Sequence, residues 1–279
     1  MDVTIPLLKD VKAQAPHAIC ELVTTNVSFN LIVNQFKPPF DNAKIRKAMV
    51  MTMDRKAFID ILSEGQNVQG GAMMPPPSGV WGMPPEFLKT VAGYSSDVAG
   101  NRAKARKIME SLGYGPDNKL KVKVSTRNIA VYRDPAVILI DHMKEIYIDA
   151  TLDTVETSNW HAKVARKDYM VGLNLTGIGV DDPDANFYEN YSCGSQRNYT
   201  GYCKPEMEAL FEKQSMMEDQ AARKKLVWEI DKKLQEDAAR PMIMHGKAAQ
   251  CWQPYVKGFV THVNSIYNNW RMEDVWLDK

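Results

Sequence analysis

Asn34-Gln-Phe-Lys-Pro-Pro-Phe-Asp-Asn-Ala-Lys-Ile-Arg-Lys-Ala-Met49, with Met53-Asp54-Arg55 close behind, joins an extended segment to two helix starts in fixed order. Pro38 and Pro39 fix φ and remove two backbone donors, so the chain stays extended there. Asp41 and Asp54 are each placed to cap a following helix by accepting its orphan N–H groups. The stretch predicts a strand, a stop and two consecutive helices, the corner of a globular domain.

The bulk of the chain agrees. Its 279 residues are 44% hydrophobic, enough for one large or two modest domains. Lys and Arg total 35 against 34 for Asp and Glu, so a net charge of +1 provides no broad field for nucleic acid or an anionic membrane. Apolar runs such as Ala136 to Ile140 fall far short of the roughly 20 residues of a membrane span. No signal peptide is visible in the opening residues, which read like the inside of a domain.

Four cysteines, Cys20, Cys193, Cys203 and Cys251, form no C-x-x-C pair and have no histidine at a zinc spacing, so no metal site is expected. Cys193 and Cys203 flank a polar, glycine-bearing loop, Gly194 to Tyr202. A disulfide closing that loop is the preferred reading, two free thiols the alternative, and the pairing of Cys20 with Cys251 stays open. Such a closure restrains the loop by roughly 2 to 3 kcal/mol in the chain-entropy account, and oxidised cysteines place a protein outside the cytoplasm.

Along the chain, Asp2 to Lys12 reads as a strand and short helix, and Ile19 to Val33 as one or two strands. Arg55 to Leu62 is an amphipathic helix. Gly70-Gly71, Pro75-Pro76-Pro77, Gly79, Gly82 and Pro84-Pro85 make 67–85 irregular, while Trp81, Met73, Met74 and Met83 give it apolar surface to pack down. Helices follow at Asn101 to Leu112 and Pro135 to Glu145, the latter after a loop through Arg133. Leu120 to Val124, Thr151 to Val155 and Val171 to Leu175 are strands, with Trp160 to Arg166 helical. Lys204 to Glu218 and Gln220 to Ala239 are two more helices; Arg223 to Glu236 carries a solvated face over a stripe of Leu226, Val227, Ile230 and Leu234. From Met242 the tail returns to short β pieces. Strand and helix alternate, which is an α/β pattern.

The run N-x-x-x-P-P-F-D-N-x-x-I-R-x-A-M followed by M-D-R resembles the middle of the large extracytoplasmic solute-binding proteins of ABC importers, the peptide/opine/nickel-binding family. The likeness covers nearly the whole chain. Asn101 to Gly113-Tyr114 is similar to that family's helix and Gly-Tyr turn, and Lys121 to Thr126 with Ile138 to Ile146 to the strand and helix after it. Trp160 to Tyr169, Gly177 to Phe187 with its Asp-Pro-Asp turn, Arg240-Pro241-Met-Ile-Met and Pro254 to Phe259 continue the resemblance.

Members of that family are about twice this long. The resemblance therefore implies a periplasmic-binding-protein-like lobe with a mixed sheet and flanking helices, complete over 34–240. Pieces of the first lobe and hinge would occupy 1–33 and 241–279, with hinge segments near Asn34 and Met242. It also implies a periplasmic receptor that closes on a small polar or peptide-like solute and delivers it to an ABC importer permease, with no cofactor and no nucleic acid. Apolar surface left by a missing jaw would favour self-association.

Ligand contacts are then expected from loops at the inner edge of the lobe. Thr126 to Arg133 offers Arg127, Asn128 and Tyr132; an arginine can grip a carboxylate or phosphate through two parallel hydrogen bonds, while a solvated basic loop is the plain structural alternative. Thr176 to Phe187 is the second loop. In peptide-binding members a tryptophan and then an aspartate begin this segment; counting back from Phe187 puts Gly177 and Val180 there, with Asp181 or Asp182 able to serve if the loop is shifted. The same acids can instead cap the helix that follows. Arg197 and Tyr199, inside the presumed disulfide loop, are expected to line the same cleft, a plain surface role being the alternative. Pro183 breaks the alternating ligand pattern that calcium needs among Asp181, Asp182, Asp184 and Asn186.

Two other classes compete with a receptor. A hydrolase or transferase would need a nucleophile elbow, a phosphate-cradling glycine loop or an H-E-x-x-H helix, and the five histidines are scattered at His17, His142, His161, His245 and His262. A non-catalytic interaction module is the third.

Overall fold

The computed structural model describes residues 2–261, 263 and 272–279. Residues 34–42 carry neither helix nor strand, and two helices follow; the chain does not stay extended at Pro38 and Pro39 but turns, the Asp41 amide reaching the Lys37 carbonyl and the Asn42 amide the Pro39 carbonyl, each at 3.2 Å. The first, α2 (Ala43–Thr52), is capped by Asn42, whose side chain accepts the Lys44 amide at 2.9 Å, and not by Asp41. The cap belongs to the residue directly before the first helical one, and an Asn there does the same work. The second, α3 (Arg55–Ser63), starts at Asp54, which accepts the Ala57 amide at 3.1 Å, as its position implies.

A six-stranded sheet organises the rest in the order β1-β6-β2-β5-β3-β4. Its members are β1 (Asp2–Val3), β2 (Ile19–Val33), β3 (Leu120–Arg127), β4 (Ile148–Val155), β5 (Val171–Gly177) and β6 (Met242–Trp252). Helices α6 (Ala130–Lys144) and α7 (Thr157–Ala165) link β3, β4 and β5, which makes those strands parallel, whereas β2 runs antiparallel to both β5 and β6. A two-residue ladder, β7 (Val256–Lys257) with β8 (Trp276–Leu277), stands apart.

Ile19 to Val33 is one strand of 15 residues whose last nine are all buried. Those nine lie between β5 and β6 with both faces covered, so the alternation fades. The same reason explains β6, expected as short pieces and found as an 11-residue strand.

Helix α6 begins at Ala130, five residues before the expected start at Pro135. The amides of Tyr132 and Arg133 both reach the Ile129 carbonyl at 2.9 Å, so the first turn forms without proline, and Pro135 removes only one later bond.

The main core lies where α2, α3, α5 (Val98–Glu110) and α6 cover one face of the sheet, around Met49, Phe58, Leu139 and Met143. On the other face Ile32 meets Trp160 and Val164 of α7. A third cluster joins α8 (Pro183–Asn190), α9 (Pro205–Ser215) and α10 (Gln220–Glu236) to Ala72, Met73 and Trp81. Short α1 (Leu8–Gln14) and α4 (Pro85–Leu88) complete the helices named here.

The glycine- and proline-rich 67–85 segment is held down by polar groups the sequence hid. Asp231 of α10 accepts the amides of Ala72 at 2.7 Å and Met73 at 3.3 Å, and Nε2 of His245 meets the Gly71 carbonyl at 2.8 Å. Both side chains are buried, so the expected solvated face of α10 is interrupted at Asp231 and Gln235. A Cβ on Gly71 would stand 2.2 Å from an Asp231 oxygen, which is why no other residue fits there.

Burial pushes the Asp231 carboxyl up to about 6 and the His245 imidazole down to about 4. The signs are opposite. Raised in the fold, Asp231 adds stability as pH falls from about 6 toward 4, on the order of 3 kcal/mol in full; depressed, His245 loses stability across a similar window, from about 6.5 to 4. The two nearly offset each other. In Asp231→Asn the His245 loss should stand alone, so urea denaturation between pH 7 and 4 should show a steeper fall than in the native chain; parallel curves would refute the pairing. Gly71→Ala should lower stability by roughly 2 kcal/mol or more at pH 7 through the clash with Asp231, read from the same denaturation midpoint.

Candidate functional site

Because β3 and β5 are parallel neighbours, Ser125 opposite Gly172, both open their C-terminal ends on one edge of the sheet. Arg127 ends β3 there. Its Nη1 donates to the Tyr132 hydroxyl at 3.2 Å, its guanidinium lies 4.8 Å from the centre of that ring, and its Nη2 donates to Nε2 of His161 at 2.8 Å. Accepting at Nε2 leaves the proton of a neutral His161 on Nδ1. Burial, then the charges of Arg127 and Arg197, hold His161 below its ordinary range. Among the described residues Arg127 makes no ion pair, and its Nε is buried without a partner. Asn128 follows, exposed, its amide bound to the Val155 carbonyl at 3.0 Å.

Gly177 ends β5 opposite Val27, and the Asn26 amide donates to the next carbonyl, that of Ile178. Val180 points out at the tip of the turn. Asp181 accepts the Val80 amide at 2.7 Å, and its carbonyl accepts Trp81 Nε1 at 2.9 Å; burial pushes its carboxyl up. Asp182 caps α8 by accepting the Asp184 amide at 2.8 Å and faces Arg223 at 3.3 Å. The acidic turn is thereby tied to the 67–85 segment and to α10.

Cys193 and Cys203 form a disulfide that closes their loop, with Cα atoms 4.8 Å apart. Inside it the Asn198 amide donates to the carbonyls of Ser192 at 3.0 Å and Tyr202 at 2.6 Å. Arg197 is exposed and pairs with Glu189 at 2.7 Å, near enough to His161 to act on it. Tyr199 instead packs beside Trp160 and Val164, while its carbonyl takes the Lys167 ammonium at 2.7 Å. The structure therefore joins Arg127 to both Tyr132 and His161, brings Arg197 close enough to act on His161, and sets Tyr199 into the packing beside α7. A second disulfide joins Cys20 to Cys251, which are direct partners in the β2–β6 register.

His161 and Trp160 were not singled out from sequence. The link of His161 to Arg127 spans 34 residues, and only the crossover that brings α7 back along the sheet creates it. Cavities of about 600 Å³ beside Arg55 and Tyr94, and about 420 Å³ between Ile5, Val27 and Val131, do not include this cluster. No cluster of three or more potential metal ligands occurs among the described residues. What the edge offers chemically is a fixed guanidinium, an imidazole and a phenol: donors for an anion.

Known proteins share this architecture. The structure of OppA from Burkholderia pseudomallei superposes with a TM-score of 0.85 at 17% identity, covering 100% of this chain and 54% of that one. Haemophilus influenzae OppA, solved in complex with RPPGFSPFR, gives 0.83 at 20% identity, covering 99% and 53%. By sequence the periplasmic oligopeptide-binding protein OppA of Haemophilus influenzae is 23% identical over 248 residues, 83% of this chain and 42% of that protein. The chain thus spans about half the length of these relatives. The model of bacterial extracellular solute-binding proteins, family 5 Middle, matches residues 3–198, and the chain belongs to that family.

Proposed function

We propose that this chain is the carboxy-terminal part of a receptor that captures a small polar, peptide-like solute by closure and delivers it to an ABC importer permease in the periplasm. The observation that carries this reading is the Arg127 guanidinium, oriented by Tyr132 and His161 and without a carboxylate among the described residues, at the open edge of the sheet. A relative's name, oligopeptide-binding, points to the same solute class. Residues 34–240 serve as one jaw, whose sheet is completed by the buried half of β2 and the start of β6, and the rest of 1–33 and 241–279 belongs to the hinge and the opposite jaw. β2 and β6 carry the chain between them, with closure bending the backbone near Asn34 and Met242.

A receptor needs no reacting groups, and this edge offers hydrogen-bond donors to an anion. Ligand contacts are assigned to Arg127, Asn128, Tyr132 and Arg197, with the backbone at Gly177 and the Val180 side chain as the facing wall. Asp181 and Asp182 support the turn, and Tyr199 supports α7. Ile19 and Leu22, 42% and 40% exposed, are the apolar surface that the opposite jaw, or a second copy in its absence, would cover.

Titration of the native full-length protein against peptides, opines, oligosaccharides and metal chelates identifies the solute, and turnover of any of them would favour an enzyme. For the solute that binds, Arg127→Ala with Tyr132→Ala should weaken affinity by roughly 10- to 100-fold, the loss of a charge-assisted contact. Unchanged affinity in that variant would remove Arg127 and Tyr132 from the site.

A further inference from the structure

Each carboxylate in the turn between β5 and α8 is engaged by the protein itself. Asp181 holds the Val80 amide at 2.7 Å. Asp182 holds the Asp184 amide at 2.8 Å and faces Arg223 at 3.3 Å, while Asp184 takes Gln214 and, at 2.7 Å, Ser215. What remains at the open tip is apolar: Val180 is 56% exposed, and Val80, whose amide Asp181 anchors, is 48% exposed.

The charge on the β3 side of the edge has the other sign. Arg127 has no carboxylate partner among the described residues, and Arg197 has Glu189. Their joint effect is visible on His161, held below its ordinary range by burial first and by these two cations next. Asp153 is occupied by Ser125 at 2.7 Å and Lys163 at 3.6 Å. Glu156, following the edge strand β4, is exposed to water and makes no ion pair with Arg127 among the described residues.

An ammonium brought to this jaw would lose water against Val80 and Val180 and would compete with the amide and guanidinium donors already on Asp181, Asp182 and Asp184. A carboxylate would find charge-assisted donors. An acyl group would bring carbon to the valines and no charge to bury.

We propose that this jaw selects a carboxylate solute whose amino group is blocked, N-acylated peptides over peptides with a free amino terminus. The inference deepens the receptor reading above and rests on it.

The test is calorimetric titration of the native full-length protein with matched alanine di-, tri- and tetrapeptides, each free and N-acetylated, repeated on Val180→Asp. The acetylated member of a pair should bind roughly tenfold tighter or better. Val180→Asp, which sets an unengaged carboxylate at the tip, should shift the preference toward the free amine. Equal or tighter binding of free peptides by the unaltered protein overturns the inference and leaves the receptor standing. Binding of neither series overturns the peptide-like receptor reading itself.

Discussion

Val27 to Val33 of β2 pair with β5 on one side while the same strand pairs with β6 on the other, and the rest of the molecule is arranged around that double ladder. An antiparallel strand inserted beside three parallel ones fixes where the parallel strands end, and so fixes a single edge at which β3 and β5 release Arg127 and Gly177. The ladder is also the path between jaws in the proposed receptor. Its pairing register shifts between Thr24 and Ser28 and again at Phe29 and Asn30, so it is irregular just where β2 turns from one partner to two, and Cys20–Cys251 ties the two strands together beyond that point.

Around this frame, polar groups are sorted by task. Asp181, Asp182 and Asp231 lie under or beside the 67–85 segment and hold it by backbone amides and Arg223, which lets a stretch of glycine and proline keep one conformation without regular structure. Cations collect on the opposite side of α7. Among the described residues Arg240 is buried without an ion pair, donating to Asn190 and to the Arg197 carbonyl, and Lys167 caps the Asn198 and Tyr199 carbonyls. These charges satisfy loop carbonyls and leave the Arg127 cluster net positive at the edge.

Much of this was legible before the fold was known. Asp54, the prolines at 38–39 and Pro205 placed element boundaries because caps and fixed φ are local effects, and the polar loop between Cys193 and Cys203 announced its disulfide through its length and composition. Arg127 and Tyr132 were readable as a polar pair on a loop. Non-local effects were not. Cys20 meets Cys251 across 231 residues, Asp231 looks like one more charge on a two-sided helix, and His161 reaches Arg127 only through the β4–α7 crossover. For the acids at 181 and 182 the sequence left ligand contact and helix capping both open; the structure shows Asp182 capping α8 and Asp181 bonded to the Val80 amide.

The central claim is that Arg127, His161 and Arg197 form an anion seat. His161 is held low by burial first and by Arg127 and Arg197 next, so an anion arriving beside these cations offsets their share, raises the imidazole pKa and draws in a proton. Calorimetry of a carboxylate solute binding near pH 6.5, in two buffers of different ionisation enthalpy, reads that proton directly. Uptake on binding that disappears in His161→Gln is the predicted result; binding with no proton uptake in the unaltered protein would contradict the account.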